Sequence, residues 1–153
     1  MRTKLIVISF LILIAELASA NEFTKVKALA NANGFTPDER IIQAVVDASK
    51  RYGIKATDLA AVGILETGLG KYNTIRNNTN GTQDQGLFQI NTVNAPRCIE
   101  YNLDSYEGNA LCAAKLLKSL KLKRPDYLGA YHSKTPTKKA LYLKKLNGIL
   151  ANN

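Results

Sequence analysis

Glu66 ends an apolar helical segment, where a carboxyl group could serve as a proton donor. Leu59, Val62 and Glu66 are spaced i, i+3 and i+7, which places them on one face of an α-helix. Burial on such a face disfavours an ionised carboxylate, and a carboxyl group that keeps its proton can donate it to a glycosidic oxygen. The structural alternative is a side chain at the helix end that turns out to solvent.

A second candidate segment is residues 84–91, with the sequence Asp-Gln-Gly-Leu-Phe-Gln-Ile-Asn. Gly86 lets backbone groups approach a ligand closely. The amides of Gln89 and Asn91 both donate and accept hydrogen bonds, as sugar hydroxyls and N-acetyl groups require. The alternative is a polar hairpin stabilised by its own amides.

The third candidate group lies near the C-terminal end. Tyr131 and His132 are part of the sequence Ala-Tyr-His-Ser at residues 130–133, and Tyr142 follows them. A buried tyrosine hydroxyl needs a hydrogen-bond partner, and a carboxyl group in a cleft is a natural one. In the structural alternative, both tyrosines are core aromatics with the hydroxyl at the surface.

Helical periodicity and end signals predict the elements that position these residues. Thr36, followed by proline and then glutamate in the first turn, is predicted to cap a helix that ends at Gly53. Thr57 is predicted to cap a second helix over residues 58–66, with Gly68 at its end. Two further helices are predicted, over residues 105–120 and residues 137–150.

Strand signals are weak along the whole chain. Residues 71–86 are rich in Asn, Thr and Gly and predict a surface loop, with at most a small hairpin near residues 80–92. Loops of this length are often functional. We therefore expect a mainly α, α+β single domain in which a polar loop or small hairpin lines a cleft.

The first twenty residues resemble a secretory signal peptide. Arg2 and Lys4 precede an apolar run over residues 5–15, and Ala-Ser-Ala at residues 18–20 matches a cleavage site. The run is shorter than the roughly 20 residues that cross a bilayer, so no stable membrane anchor is expected. The predicted domains are a signal peptide, residues 1–20, and an exported domain, residues 21–153, in the periplasm or outside the cell.

Cys98 and Cys112 would then lie in a compartment that permits disulfides. An even cysteine count favours one bridge between them, and the alternative is two buried free thiols. His132 is the only histidine and there is no Cys-x-x-Cys pair, so no metal site is expected.

The net charge of +9 would become +8 without the first twenty residues. A basic face attracts polyanions, but the chain has neither a nucleic-acid motif nor interleaved aromatics, so we expect a solvated face and no specific nucleic-acid partner. The excess lies in the C-terminal third, where from residue 115 onward Asp126 alone opposes Lys115, Lys118, Lys121, Lys123, Arg124, Lys134, Lys138, Lys139, Lys144 and Lys145.

Taken in order, these segments resemble the soluble lytic transglycosylases, goose-type-lysozyme-like enzymes that cleave peptidoglycan. The nearest resemblance is to small exported members that accompany type IV secretion and conjugation systems. The family's Glu-Ser corresponds to Glu66-Thr67, and its Gly-Leu-Met-Gln-Ile to residues 86–90, with Phe88 for methionine. Its Ala-Tyr-Asn-Ala-Gly is matched more loosely by residues 130–134. The resemblance spans about residues 40–146 and implies a lysozyme-like fold.

The resemblance implies that Glu66 protonates the oxygen between N-acetylmuramic acid and N-acetylglucosamine. Glu66 would then take a proton from the muramic C6 hydroxyl as that hydroxyl attacks C1, forming a 1,6-anhydro ring without water, metal or organic cofactor. Tyr142 would hydrogen-bond Glu66 or the substrate N-acetyl group, and Gln89 would contact the glycan. The implied substrate-binding set is Thr67, Gly86, Phe88, Gln89, Asn91, Tyr131, His132 and Tyr142.

The expected partner is a peptidoglycan strand, together with components of a secretion, conjugation or phage-related complex, and the protein is expected to be a monomer. One alternative is a lysozyme-type hydrolase in which Asp84, as a second carboxylate, activates water. Another is a non-catalytic wall-binding or assembly module in which Glu66 is idle. A third is a cationic membrane-active peptide or a nucleic-acid-binding protein, whose binding would fall steeply with added salt.

Overall fold

A computed structural model describes the backbone of residues 2–72 and 75–152, with side chains from residue 16 onward. These residues form a mainly helical fold with a small antiparallel sheet, which confirms the predicted fold class. The elements are α1 (Arg2–Ala32), α2 (Glu39–Tyr52), α3 (Ala56–Thr67), β1 (Ile75–Asn77), β2 (Gln83–Gln85), β3 (Ile90–Asn91), a 3-10 helix (Ala95–Cys98), α4 (Tyr106–Lys121), α5 (Tyr127–His132) and α6 (Pro136–Ala151).

Helix α3 is the central helix of the domain. It contacts α1, α2 and α6, while α2 packs along α4 and α5 lies between α4 and α6. Its residues Leu59, Ala60 and Val62 are fully buried, and Gly63 is buried with them. A helix that is apolar on nearly every side is stable only when other elements surround it. The last turn of α3, which carries Glu66, is therefore held on several sides.

The helix ends agree with the sequence at the C-terminal caps but not at every start. Gly53 and Gly68 adopt the left-handed conformation and cap α2 and α3, as predicted. The predicted cap at Thr36 is wrong, because the side chain of Asp38 accepts a hydrogen bond from the Arg40 amide and begins α2. Thr57 is also not a cap, since α3 begins one residue earlier and the Thr57 hydroxyl is buried without a partner among the described residues.

The predicted helices near residues 105–120 and 137–150 correspond to α4 and α6. Ser105 caps α4, and its hydroxyl accepts a hydrogen bond from the Gly108 amide. Helix α6 begins at Pro136, a residue whose missing N–H is not needed in the first turn. Two short elements were not predicted: α5, which has only about one and a half turns, and the 3-10 helix.

The polar stretch predicted as a loop contains two of the three strands. Strands β1, β2 and β3 pair antiparallel in chain order, with Ile75 opposite Gln85 and Asp84 opposite Asn91. The sheet thus begins earlier than the hairpin predicted near residues 80–92. Its strands are rich in Asn, Gln and Asp, residue types with weak or no strand preference, which explains why periodicity did not reveal it.

Helix α1 continues through the predicted cleavage site after residue 20. Its buried residues among 16–32 are Val26, Leu29 and Ala30, all beyond that site. The core contacts described for α1 would therefore remain if residues 1–20 were removed, although the cleavage itself stays a prediction. A search of the described residues finds no helix with the length and apolarity needed to cross a membrane.

The predicted disulfide is confirmed. Cys98 in the 3-10 helix is bonded to Cys112 in α4, and both residues are buried. The bond joins the segment that follows β3 to the helix that packs on α2, so it fixes one edge of the sheet region to the helical core.

Candidate active site

A polar cleft of about 830 Å³ lies between the sheet, the α5–α6 connection and the start of the segment that leads to α4. Most of the residues on its wall carry amide, hydroxyl or charged groups, and four aliphatic side chains also line it. The lining residues are Glu66, Arg76, Asn77, Asn78, Thr79, Asn80, Thr82, Asp84, Gln89, Ile90, Asn91, Asn94, Arg97, Leu116, Leu120, Ala130, Tyr131, His132, Ser133, Lys134 and Lys138.

Glu66 reaches the cleft from the last turn of α3. Its side chain is only 10% exposed. The Tyr142 hydroxyl, on α6, donates a 2.9 Å hydrogen bond to Glu66 Oε1. Nδ1 of His132 lies 3.8 Å from the same oxygen, too far for a good hydrogen bond but close enough for an ion pair when the imidazole is protonated. A carboxyl group, a phenol and an imidazole are thus within contact of one another.

The His132 and Tyr142 rings stack on each other in front of Glu66. Their centroids are 4.5 Å apart and their planes differ by 10°. Burial, together with the adjacent Glu66, raises the pKa of Tyr142 far above its ordinary value. The phenol therefore stays protonated and acts as a donor to Glu66 at any pH at which the protein works.

The turn between β2 and β3, residues 86–89, is fixed by side chains from three helices. The Thr67 hydroxyl, from α3, donates to the Leu87 carbonyl at 2.8 Å. The Tyr131 hydroxyl, from α5, donates to the Phe88 carbonyl at 2.8 Å. The amide of the Leu87–Phe88 peptide bond, that of Phe88, donates to Asn109 Oδ1, from α4, at 2.9 Å. Three backbone groups of this turn, the Leu87 and Phe88 carbonyls and the Phe88 amide, are therefore hydrogen-bonded by side chains of the protein.

Asn109, which was not predicted from the sequence, holds the turn from the side of α4. It is buried, and its Nδ2 donates to the Gln85 and Leu103 carbonyls, each at 3.1 Å. Gly86 has a φ of +75°, and a Cβ there would lie 2.0 Å from Asn109 Nδ2. The available signal was an Asn on the apolar face of the helix predicted over residues 105–120, where a buried amide must find partners.

Gln89 lines the cleft with an uncommon backbone conformation. Its φ is +48°, in the left-handed region that non-glycine residues seldom adopt, and its Nε2 donates to the Gly86 carbonyl at 3.1 Å. Such conformations persist where surrounding contacts impose them and are frequent at functional sites. Gln89 thus combines the residue type expected for a sugar contact with a position on the cleft wall.

Asp84, the candidate second carboxylate, also lines the cleft but is already paired. Arg76 donates to its Oδ2 at 2.8 Å, and the Asn91 amide donates to its Oδ1 at 2.7 Å. Burial alone would raise the pKa of Asp84, but these hydrogen bonds outweigh it and lower the pKa below its usual value. Asp84 is therefore an ionised group that anchors Arg76 and Asn91 to the sheet.

The predicted site residues fall into two groups in the structure. Those on the cleft wall are Glu66, Asp84, Gln89, Asn91, Tyr131 and His132. Thr67, Gly86, Phe88 and Tyr142 lie behind this wall: Phe88 is fully buried against Gly63, and Tyr142 touches the cleft through Glu66. Direct sugar contact by Thr67 and Phe88 is a role that their burial does not support, since neither is exposed at all.

Four cationic wall residues, Arg76, Arg97, Lys134 and Lys138, were not among the predicted site residues. Arg76 lies in the stretch predicted as a loop, and Lys138 was assigned only to the general basic face, so neither had a motif to mark it. Within the described side chains, no cluster of three or more His, Cys, Asp and Glu residues could hold a metal ion.

The arrangement can hold an extended polar ligand beside one buried carboxyl group that has a fixed phenol donor. This is suited to proton transfer at a ligand oxygen, because the carboxyl group is close to the cleft and yet largely shielded from water. Comparisons with protein-family models, with curated proteins and with solved structures find no match to this chain.

Proposed function

We propose that the protein is a peptidoglycan lytic transglycosylase, which cleaves the β-1,4 bond between N-acetylmuramic acid and N-acetylglucosamine and forms 1,6-anhydro-N-acetylmuramic acid. The observation that carries this proposal is the position of Glu66, nearly buried at a polar cleft and hydrogen-bonded by Tyr142. The proposal also rests on the resemblance of the three segments to that family.

In the proposed reaction, Glu66 donates its proton to the glycosidic oxygen as the bond from that oxygen to C1 breaks. The resulting carboxylate then accepts the proton of the C6 hydroxyl while O6 forms a bond to C1, so the acid is regenerated and no water is consumed. Tyr142 supports the first step, because its hydrogen bond to Oε1 strengthens as negative charge develops on Glu66.

The sheet supplies the polar wall that would hold the glycan. Asparagine amides and a threonine hydroxyl project from β1, the turn between β1 and β2, β3 and the segment that follows β3, and Gln89 adds a further amide. Amides donate and accept, so they match both the carbonyl and the N–H of an N-acetyl group. The residues concerned are Asn77, Asn78, Asn80, Thr82, Asn91 and Asn94.

A hydrolase is the second candidate, because Asp84 lines the same cleft as Glu66. A water-activating base needs an oxygen that is available to the water. Both oxygens of Asp84 accept hydrogen bonds, from Arg76 and from Asn91, which makes it a weaker base and favours the mechanism with one carboxylate.

We also propose that the protein acts outside the cytoplasm, where it opens the wall locally for an envelope-spanning machine. The disulfide supports an oxidising compartment. The machine is inferred from the resemblance alone. Loss of secretion or conjugal transfer on gene deletion, restored by wild-type protein but not by Glu66→Gln, would support it; normal transfer would reject it.

The deciding experiment is digestion of purified peptidoglycan followed by mass spectrometry of the soluble fragments. Wild-type protein should release muropeptides lighter than the hydrated products by the mass of one water, and Glu66→Gln should release none. Glu107→Gln, an exposed charge loss on α4, is the matched control and should behave as wild type. Reducing-end products would assign a hydrolase, and no Glu66-dependent product from several wall types would indicate a binding module.

A further inference from the structure

The cleft wall carries more positive than negative side chains. Four basic residues line it, against Glu66 and Asp84 as the acidic ones. Arg76 is neutralised by Asp84, and Glu66 is nearly buried, so the positive excess lies on the other three cations. Those three are Arg97, Lys134 and Lys138.

Lys134 and Lys138 have no counter-ion in the described part of the chain. Neither side chain makes a hydrogen bond or an ion pair there. Lys139, by contrast, points to Asp126 and is paired with it, so the neighbouring lysine is committed to the fold while Lys138 faces the cleft. The ammonium groups of Lys134 and Lys138 have no protein partner among the described residues and line a ligand-sized cleft, so they are available to an anion on a ligand.

Both lysines lie on the same side of the cleft as the groups that contact Glu66. Lys138 precedes Tyr142 by four residues on α6, which puts them on one face with a separation of about 6 Å along the helix axis. Lys134 follows His132 by two residues, in the connection between α5 and α6. A ligand anion bound by these lysines would therefore lie on the side of the cleft where Tyr142 and His132 contact Glu66.

Given the proposed function, the sugar whose glycosidic bond is cleaved beside Glu66 is the muramyl residue. Its C3 oxygen carries a lactyl group, which ends either in a free carboxylate or in a peptide that bears carboxylates of its own. The same position in chitin is an uncharged hydroxyl. We propose that Lys134 and Lys138 bind a carboxylate on this C3 substituent and so make the cleft selective for muramyl glycans over uncharged N-acetylglucosamine polymers.

The test measures binding to the full chain carrying Glu66→Gln, which prevents turnover. The probes are strands of equal length: peptide-bearing glycan, glycan stripped of peptide so that the lactyl carboxylate is free, and chitooligosaccharide. The charged strands should bind about tenfold more tightly than the chitooligosaccharide, and Lys134→Gln with Lys138→Gln should remove this advantage without weakening chitooligosaccharide binding. The advantage should shrink with added salt, because exposed charge pairs are screened.

Lys144→Gln with Lys145→Gln is the matched control, since both residues are exposed on α6 and neither lines the cleft. Tight binding of both charged strands identifies the lactyl carboxylate as sufficient, and tight binding of the peptide-bearing strand alone identifies the peptide carboxylates; either supports the inference. Equal affinity for all three strands, no binding of any, or an equal loss in the control pair would overturn it. Selective binding without Glu66-dependent cleavage in the digestion would reject the proposed catalysis alone.

Discussion

Replacement of Asn109 by alanine tests how the turn at residues 86–89 is held. The side chain makes three hydrogen bonds to backbone groups, at 2.9, 3.1 and 3.1 Å. At about 1 kcal/mol each these are worth about 3 kcal/mol, and the better helix propensity of alanine returns about 0.5 kcal/mol. We expect the variant to lose about 2.5 kcal/mol of unfolding free energy.

Urea unfolding followed by circular dichroism measures this loss. With a slope of about 2 kcal/mol per molar, the midpoint should fall by about 1.2 M. Asn147→Ala, at an exposed position of α6, is the matched control and should shift the midpoint little. Asn109→Leu separates packing from hydrogen bonding, because it restores volume but leaves the three backbone groups without their partners.

This role of Asn109 is refuted if the urea midpoint of Asn109→Ala lies within about 0.3 M of the wild-type midpoint, or if Asn109→Leu recovers wild-type stability. Either result would mean that the turn keeps its shape without this amide. Because Gln89 belongs to the same turn, Asn109→Ala should also bind glycan more weakly in the absence of urea, even though Asn109 does not line the cleft.

Four further outcomes are expected. Tyr142→Phe should lower kcat about 30-fold, because the carboxylate formed on Glu66 loses a charge-assisted donor, and an unchanged kcat would refute the role of the phenol. Gly86→Ala should cost about 2–3 kcal/mol of stability through its positive φ and the missing space for a Cβ, as measured in urea. Asp84→Asn should cost about 1 kcal/mol at neutral pH. The pKa of Asp84 is lowered in the folded protein, so the stability that its ionised form contributes is complete above its ordinary pKa of about 4. That stability is lost as the pH falls through the lowered pKa of the folded state, and the urea midpoints of wild type and variant should converge in that pH range. A difference between the midpoints that does not change with pH would contradict this. Serine in place of both disulfide cysteines should lower unfolding free energy by about 3 kcal/mol, and an unchanged melting curve would count against it.

Much of the fold was predictable because local signals and tertiary packing agree. Gly53 and Gly68 end helices where the sequence places them, and Ser105 begins α4. The starts of α2 and α3 were less predictable, since several residues near each start could serve as a cap. Asp38 competes with Thr36 and wins because its carboxylate reaches the Arg40 amide.

The site was predictable in its residues but not in their roles. Motif matching identified Thr67 and Phe88 together with Gln89, yet only Gln89 lies on the wall. In a short segment, residues that line the cleft and residues buried behind it are neighbours in sequence, so their spacing does not show which of them contact a ligand. Asn109 was not predicted, because two of its three partners, the Phe88 amide and the Gln85 carbonyl, are backbone groups more than twenty residues away.

The turn at residues 86–89 can change its conformation very little when a ligand binds. Its Phe88 amide and its Leu87 and Phe88 carbonyls are hydrogen-bonded to Asn109, Thr67 and Tyr131, which belong to three different helices. A shift of this turn would have to break bonds to α3, α4 and α5 together. Under the proposed function, the sugar ring must therefore deform to meet a nearly rigid template, and the entropy lost on binding falls mainly on the flexible glycan strand.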